Sequence, residues 1–320
     1  MSLIVRFLGT SASRPTVERG LASVAIQREG ETLLFDCGEG TQRQMMRYGV
    51  SFALDDIFFT HFHTDHLIGV IGLLRTLQLQ GRTAPMRLFG PRGAHKLLRQ
   101  AATFGGDRLG FPVETIEVEP GTPITRTGYA IHPFAVDHAG ASAVGYALRE
   151  EERRGRFHPD LAKAFGVPEG PLWGRLHRGE RIRLDDGREI DAATLVGPSR
   201  AGRIVVLTGD TRPCAATIQA AHLADLLIHE ATFAGDEAPR AIETGHSTAA
   251  EAGQVAQLAK VKRLVLTHIS ARYSRDAREV EREAAAHFPA VTVARDGMEI
   301  EVPFEEEGDD APVTAVAVTG

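Results

Sequence analysis

Residues 57–66 read Ile57-Phe58-Phe59-Thr60-His61-Phe62-His63-Thr64-Asp65-His66. The apolar, aromatic opening reads as a short buried strand, and it runs without a break into three histidines and an aspartate. Alternate residues of an extended segment face the same way, so His61 and His63 can grip one ion together. The turn that follows brings Asp65 and His66 toward a neighbouring position. Three imidazoles and a carboxylate this close in sequence suit zinc, which takes nitrogen and oxygen ligands at about 2.0–2.2 Å.

Working outward, the same pattern recurs. Tyr129–Val136 leads into Asp137-His138, Arg203–Thr208 into Gly209-Asp210, and Arg263–Thr267 into His268. Each is an apolar run ending in one metal-capable residue. Any one of them alone could serve packing. Taken with the first cluster, strand ends delivering ligands to one edge of a layered core is the simpler account. His61, His63, Asp65, His66, His138, Asp210 and His268 suffice for two ions with Asp210 between them, leaving positions open for water.

The rest of the chain supports such a core. Short β-rich runs at Leu3–Leu8, Ala22–Gln27, Thr32–Asp36, Met86–Phe89, Val113–Val118, Ala143–Arg149 and Leu226–His229 alternate with helical patterns. Those patterns fall at Gly40–Tyr48, His66–Gln80, Arg92–Phe104, Thr248–Leu258 and Arg275–His287. Strands alternating with helices imply a layered α/β domain, here spanning 1–304. Residues 150–198 differ, being charged, Gly- and Pro-bearing and weakly periodic. They read as an excursion with its own small structure, because a loop of that length without any is unusual. Residues 305–320 read as a disordered tail.

Composition excludes several classes. A hydrophobic fraction of 43% over 320 residues rules out a disordered or fibrous chain. A net charge of -6 argues against an overall basic nucleic-acid coat, though not against a local basic site. No apolar run is long enough to span a bilayer, and the N-terminus lacks the basic region of a signal peptide. The two cysteines, Cys37 and Cys214, read as buried free thiols in a reducing, cytoplasmic setting.

Several segments together resemble the metallo-β-lactamase-fold hydrolases and, within them, the ribonuclease Z family of tRNA 3′-processing endoribonucleases. They are Phe7-Leu8-Gly9-Thr10-Ser11, Phe35-Asp36-Cys37-Gly38-Glu39-Gly40-Thr41-Gln42, the His61–His66 motif, His138 with Gly145-Tyr146, and Gly209-Asp210-Thr211-Arg212. His229-Glu230-Ala231-Thr232-Phe233, His246-Ser247-Thr248 and Thr267-His268-Ile269-Ser270 complete the set. The metal motif marks the superfamily, whereas the Asp-Cys-Gly-Glu-Gly-Thr-Gln, His-Glu-Ala-Thr-Phe and His-Ser-Thr segments mark the ribonuclease Z group.

The resemblance implies a four-layer αβ/βα sandwich with an inserted flexible arm, and two zinc ions per chain, with manganese or cobalt as substitutes. It puts one ion on His61, His63, His138 and Asp210 and the other on Asp65, His66, Asp210 and His268, with a hydroxide between them as nucleophile. Asp65, His246 and Glu230 become the catalytic residues: Asp65 orients the nucleophile and takes a proton, and Glu230 fixes the tautomer of His246. Asp36 becomes the hydrogen-bond partner of a ligating imidazole. On the residues alone, His246 could equally neighbour a helix cap at Ser247 or Thr248, and His229 reads as structural. The excursion becomes an arm that grips the tRNA elbow, with Gly170, Pro171, Arg175, Arg178 and Arg181 as contacts; Trp173 reads as packing within it.

The implied reaction is hydrolysis at the 3′ end of precursor tRNA, leaving a 3′-hydroxyl on the tRNA and a 5′-phosphate on the trailer. A homodimer is implied with it. One segment departs from the family: the loop that senses the tRNA 3′ end commonly reads Pro-Thr-Lys-x-Arg-Asn. Here it is Pro15-Thr16-Val17-Glu18-Arg19-Gly20, keeping Arg19 as a substrate contact but losing the lysine and asparagine. Alternatives open at this point are a hydrolase of small phosphodiesters or sulfate esters, a 3′-exoribonuclease, and a non-enzymatic RNA-binding member of the fold.

Overall fold

A computed structural model describes residues 2–105 and 108–305. The strands, in chain order, begin with β1 (Leu3–Gly9), β2 (Ser23–Arg28), β3 (Glu31–Phe35), β4 (Asp56–Phe58), β5 (Met86–Gly90) and β6 (Val113–Glu117). Next come β7 (Ile124–Arg126), β8 (Tyr129–Ala135) and β9 (Val144–Glu150), then the short pair β10 (Ile182–Arg183) and β11 (Glu189–Ile190). The last are β12 (Ile204–Leu207), β13 (Leu226–Glu230), β14 (Leu264–Thr267), β15 (Val291–Val293) and β16 (Glu299–Glu301). The helices are α1 (Thr41–Arg47), α2 (Thr64–Leu67), α3 (Gly69–Leu79), α4 (Ala94–Thr103), α5 (Pro159–Ala164), α6 (Pro171–His177), α7 (Ala215–Ala220), α8 (Ala238–Thr244), α9 (Ala249–Ala259) and α10 (Arg278–Ala285).

The chain divides into two compact units. The larger comprises residues 1–149 and 203–303. It holds two seven-stranded sheets, ordered β16-β1-β2-β3-β4-β5-β6 and β15-β14-β13-β12-β9-β8-β7. Each sheet pairs antiparallel toward one edge and parallel toward the other: β3 to β6 run parallel, as do β12 to β15. Parallel central strands must be covered on both faces, so their runs, such as Ile204-Val205-Val206-Leu207, are continuously apolar. The inner faces meet in a core that includes Phe7, Phe35, Phe58, Tyr146, Val205 and Ile228. Outside the first sheet Met45, Leu73 and Leu98 bring in α1, α3 and α4; outside the second an alanine-rich layer from α9 and Val280 and Ala284 from α10 does the same. The result is the expected αβ/βα sandwich.

Beneath the strand that leads into the histidine motif the core is aromatic. Phe58 stacks between Phe35 and Phe89 with centroids 5.1 and 4.7 Å away. Tyr146, from the opposite sheet, meets Phe58 edge-on at 5.6 Å and donates its hydroxyl to Phe59 O at 2.8 Å. That bond ties β9 to the residue two before His61.

The smaller unit comprises residues 150–202 with the segment from Phe304. Its own core gathers Ala162, Val167, Leu176, Ile182, Ile190 and Leu195, with Trp173 packed against it and donating Nε1–H to Val167 O at 3.2 Å. The neck runs past Pro198, because Arg153 and Arg200 exchange two backbone hydrogen bonds of 2.7 and 2.8 Å. The strands of the neck lie so close that a Cβ on Gly155 would fall 1.8 Å from Gly197 O. From residue 306 onward the expected tail lies outside the described residues. Among the described residues no helix is long and apolar enough to cross a membrane.

Local differences from the sequence reading have simple causes. The helix expected over His66–Gln80 begins at Thr64 and bends at Ile68 into α2 and α3. Gly38 and Gly69 sit at this bend with backbones nearly touching: a Cβ on Gly69 would lie 1.9 Å from Gly38 O. Cys37 is buried as expected, but Cys214 is only partly so, because it precedes α7 at the surface.

Candidate metal centre

Five of the seven expected ligands come from strand ends or the turns after them and two from the short helix after β4, and the structure brings the other six together around Asp210. His61 and His63 follow β4; Asp65 and His66 lie in α2, and His138 follows β8. Asp210 follows β12 and His268 follows β14. Asp210 Oδ2 lies 3.6 Å from His61 Nε2, 3.4 Å from His66 Nε2, 3.8 Å from His138 Nε2 and 3.4 Å from His268 Nε2. His138 Nε2 is 3.2 Å from His63 Nδ1, and His66 Nε2 is 3.3 Å from His268 Nε2. Asp65 Oδ2 is 3.3 Å from His268 Nε2 and 3.6 Å from His66 Nε2. Ligand atoms of His61, His63, His138 and Asp210 fall within 4.8 Å of one another, as do those of Asp65, His66 and His268.

This donor set fits divalent cations. A tetrahedral site with bonds of about 2.0–2.1 Å spaces its ligand atoms about 3.3 Å apart, close to the 3.2–3.8 Å between the pairs given above. His61 Nε2 and Asp210 Oδ1 are buried with no hydrogen-bond partner among the described residues, an arrangement that ordinarily calls for a partner not made of protein. Four imidazoles are also aimed through their other nitrogen. His61 Nδ1 meets Thr60 Oγ1 at 3.1 Å, His66 Nδ1 meets Asp36 Oδ2 at 2.7 Å, His138 Nδ1 meets Gly245 O at 2.9 Å, and His268 Nδ1 meets Thr232 Oγ1 at 2.9 Å. Each contact commits Nδ1 and turns Nε2 inward. Asp36 is itself fixed, accepting from Thr60 N at 2.7 Å and Thr60 Oγ1 at 2.8 Å.

Electrostatics follow the packing. Burial, reinforced by His66, His138 and His63, holds the His61 pKa well below its ordinary value, so it is a neutral ligand. Burial opposes charge on His66 too, but Asp210 and Asp36 outweigh it and lift its pKa well above the usual range. Burial would raise Asp65 and Asp210, yet the surrounding histidines keep both carboxylates well below the usual range.

His246 and Glu230 flank this cluster. His246 Nδ1 is 2.8 Å from Glu230 Oε1 and 3.9 Å from Asp210 Oδ2. Burial lowers its pKa, but Glu230 and then Asp210 prevail and raise it to about 9. Glu230 is held by Thr211 N at 2.9 Å and Thr232 Oγ1 at 2.7 Å. The same segment also caps a helix: Thr248 caps α9 in a capping box with Glu251, two residues after His246 faces Glu230. Arg212 joins them, donating to His246 O at 2.6 Å and pairing with Glu251. His229 points away, buried, with Nδ1 on Glu230 O at 2.7 Å, as a structural residue would.

The backbone at this edge is bent hard. Ser13, Asp36, Ala139 and His268 hold φ of 55°, 57°, 44° and 56°, and Gly209 holds 63°. These lie in the left-handed region that side chains with a Cβ disfavour. A groove of about 600 Å³ is lined by Asp65 together with Arg14, Arg43 and Glu39.

The expected substrate contacts are placed differently. Arg19 is buried, and its guanidinium is spent on Thr10 Oγ1 at 2.7 Å and Ala294 O at 2.6 Å. Arg175 and Arg178 both pair with Glu180, and Arg181 pairs with Asp191 at 2.8 Å. Gly170 has φ 142° and ψ -147°, a conformation essentially reserved for glycine, and Pro171 starts α6. Sequence reasoning passed over Thr232 and the Ser13 amide, which donates to Asp65 Oδ2 at 2.8 Å. Thr232 could have been found from its place two residues after Glu230; the amide leaves no trace in side-chain identity.

Sandwich and site together define a metallohydrolase of the β-lactamase superfamily, and a model of the β-lactamase superfamily domain matches residues 31–178 and 176–269. The relatives are more specific. Ribonuclease Z of Gemmatimonas aurantiaca is 64% identical over 98% of this chain and 100% of its own length. Ribonuclease Z of Myxococcus xanthus is 50% identical over 96% of this chain and 100% of its own. The crystal structure of human tRNase Z, short form, superposes with a TM-score of 0.67 at 27% identity, covering 94% of this chain and 100% of that one. The chain belongs to the ribonuclease Z family.

Proposed function

We propose that this chain is a zinc-dependent endoribonuclease that removes the 3′ trailer from precursor tRNA. The observation that carries the reading is the convergence of seven ligands on Asp210 with the His246–Glu230 pair beside them, in a chain 64% identical to a ribonuclease Z. His61, His63, His138 and Asp210 would hold one ion, and Asp65, His66, Asp210 and His268 the other. Bound there, two divalent ions supply charge stabilisation at the phosphate and acidify a water molecule; manganese or cobalt suits the same ligands.

The chain's own residues do the rest. Asp65 orients the attacking water and takes up its proton. His246, protonated up to about pH 9 and fixed at Nδ1 by Glu230, donates from Nε2 to the 3′-oxygen as the P–O3′ bond breaks. Water adds to phosphorus, so the tRNA keeps a 3′-hydroxyl and the trailer a 5′-phosphate.

The unit of residues 150–202 would be the arm that holds the tRNA body. With Arg175, Arg178 and Arg181 already paired to acids, RNA phosphates must compete for them, so they would position the substrate rather than dominate affinity. Arg19 would act by holding its loop. The free thiols of Cys37 and Cys214 support a reducing, cytoplasmic setting, and the family resemblance supports a homodimer, which light scattering checks.

Cleavage of a 3′-extended tRNA, mapped to the nucleotide, tests the whole reading. One zinc-dependent cut next to the discriminator base, lost in Asp65→Ala by about 3–4 kcal/mol or more of transition-state stabilisation, is the expected result. Stepwise trimming, or no cleavage with zinc or manganese, would refute it.

A further inference from the structure

We propose that the backbone N–H of Ser13 is a positioning group for Asp65, and that the Ser11–Arg14 turn serves to hold it in place. The inference rests on the function proposed above and adds to it a group that is not a side chain.

Ser13 N donates to Asp65 Oδ2 at 2.8 Å, the same oxygen that lies 3.3 Å from His268 Nε2 and 3.6 Å from His66 Nε2. The terminal torsion of an aspartate is broad and nearly two-fold, so a carboxylate with no fixed donor can rotate. One amide on Oδ2 removes that freedom and decides which oxygen faces His66 and His268. The Ser13 side chain is exposed, so it is the amide, at a φ of 55°, that the chain has arranged.

The arrangement is heavily secured. Within the turn, Ser11 Oγ donates to Arg14 O at 2.7 Å and Arg14 N to Ala12 O at 2.5 Å. Ala12 N donates to Ile269 O at 3.0 Å and Ile269 N to Thr10 O at 2.8 Å, which fastens the turn to the residue after His268. At the far end of the loop the buried Arg19 holds Thr10 and Ala294, while Asp296 accepts from Gly20 N at 2.6 Å and Thr10 Oγ1 at 2.8 Å. The loop therefore ties Asp65, in the first half of the sandwich, to His268, in the second, through main-chain bonds that no substitution of a surface side chain would disturb.

The test replaces the amide at position 13 by an ester, which removes the N–H and also weakens Ala12 O, the acceptor for Arg14 N. It is compared with an ester at position 14, which loses that second bond while keeping the Ser13 N–H, and with Ser13→Gly, which keeps the N–H and accepts positive φ. Chelator competition without substrate should show zinc affinity at the site of Asp65, His66, Asp210 and His268 falling about 10–100-fold in the position-13 ester and unchanged in Ser13→Gly. On 3′-extended tRNA the ester should lower kcat tenfold or more and leave KM within twofold. In an Asp65→Ala background, which leaves the Ser13 N–H no acceptor at position 65, the ester should change neither quantity further. An ester within twofold of wild type in both measurements, a loss that persists in full beside Asp65→Ala, or an equal loss in Ser13→Gly would overturn the inference. Wild-type protein that binds no divalent ion would instead overturn the functional reading.

Discussion

Replacing Asp36 by asparagine should disable the His66 ligand without unfolding the protein. Asp36 accepts three hydrogen bonds, two from Thr60 at 2.7 and 2.8 Å and one from His66 Nδ1 at 2.7 Å. In Asp36→Asn the new side chain would keep its carbonyl on Thr60 N but turn an NH2 group toward His66 Nδ1–H and the Thr60 hydroxyl. Two donors would then face each other, unless His66 moves its proton to Nε2, the atom needed for the ion. Asparagine tolerates the φ of 57° that Asp36 adopts, so the backbone does not confound the result. Losing such a partner weakens metal binding about 10–100-fold, or about 1.4–2.7 kcal/mol. A charge-assisted hydrogen bond worth about 1.5–3 kcal/mol goes with it. Competition titration with a chromophoric chelator, beside thermal unfolding of the chelated protein, reads both. Zinc affinity within twofold of wild type would show that Asp36 does not set the His66 tautomer, and the account of how the imidazoles are aimed would fail.

Three further outcomes are expected. His246 is raised from 6.5 to about 9, so its pair with Glu230 stabilises the chelated fold fully below about pH 6.5 and ceases to as pH rises through about 9. Melting temperature should fall over that window in wild type and not in Glu230→Gln, whose alkaline activity limb should also move to lower pH. Arg14→Ala and Arg43→Ala, at the mouth of the groove beside Asp65, should each raise KM for tRNA, leave kcat alone and cut the salt slope of binding by about one; an unchanged slope would remove the groove from the substrate path. Gly155→Ala, whose Cβ would meet Gly197 O at 1.8 Å, should deform the neck of the smaller unit, abolishing tRNA cleavage while sparing hydrolysis of bis(p-nitrophenyl) phosphate. Equal losses on both substrates would deny that unit a role in substrate grip.

The sequence disclosed what depends on side-chain pattern. Apolar runs ending in His61, Asp210 and His268 were legible because parallel strands buried on both faces are continuously apolar and their ends converge on one edge; the run before His138 belongs to the antiparallel β8, whose burial alternates. The elements passed over were those with too few residues to show a period: β7, β15 and β16 at three residues each, and α7 and α8 at six and seven. The match to the family's loop marks Arg19 as a substrate contact; its burial and its hydrogen bonds to Thr10 and Ala294 depend on contacts distant in sequence that no local pattern discloses. Which arginines of the smaller unit are neutralised was not legible, because Arg181 meets Asp191 and Arg175 and Arg178 share Glu180 only once the unit has folded. The hold on Asp65 was invisible, since an amide is common to nearly every residue.

The left-handed residues around the centre carry a consequence for the whole molecule. Ser13, Asp36, Ala139 and His268 each surrender about 1–2 kcal/mol that an ordinary backbone would keep. Selection for heat resistance can relax Glu29, Leu223 and Lys260, which hold positive φ elsewhere in the sandwich, without touching the chemistry, whereas relaxing Ser13, Asp36 or His268 would move the groups that perform it. Robustness and turnover are thus set against each other along a single rim, while the remainder of the sandwich is free to drift toward greater stability.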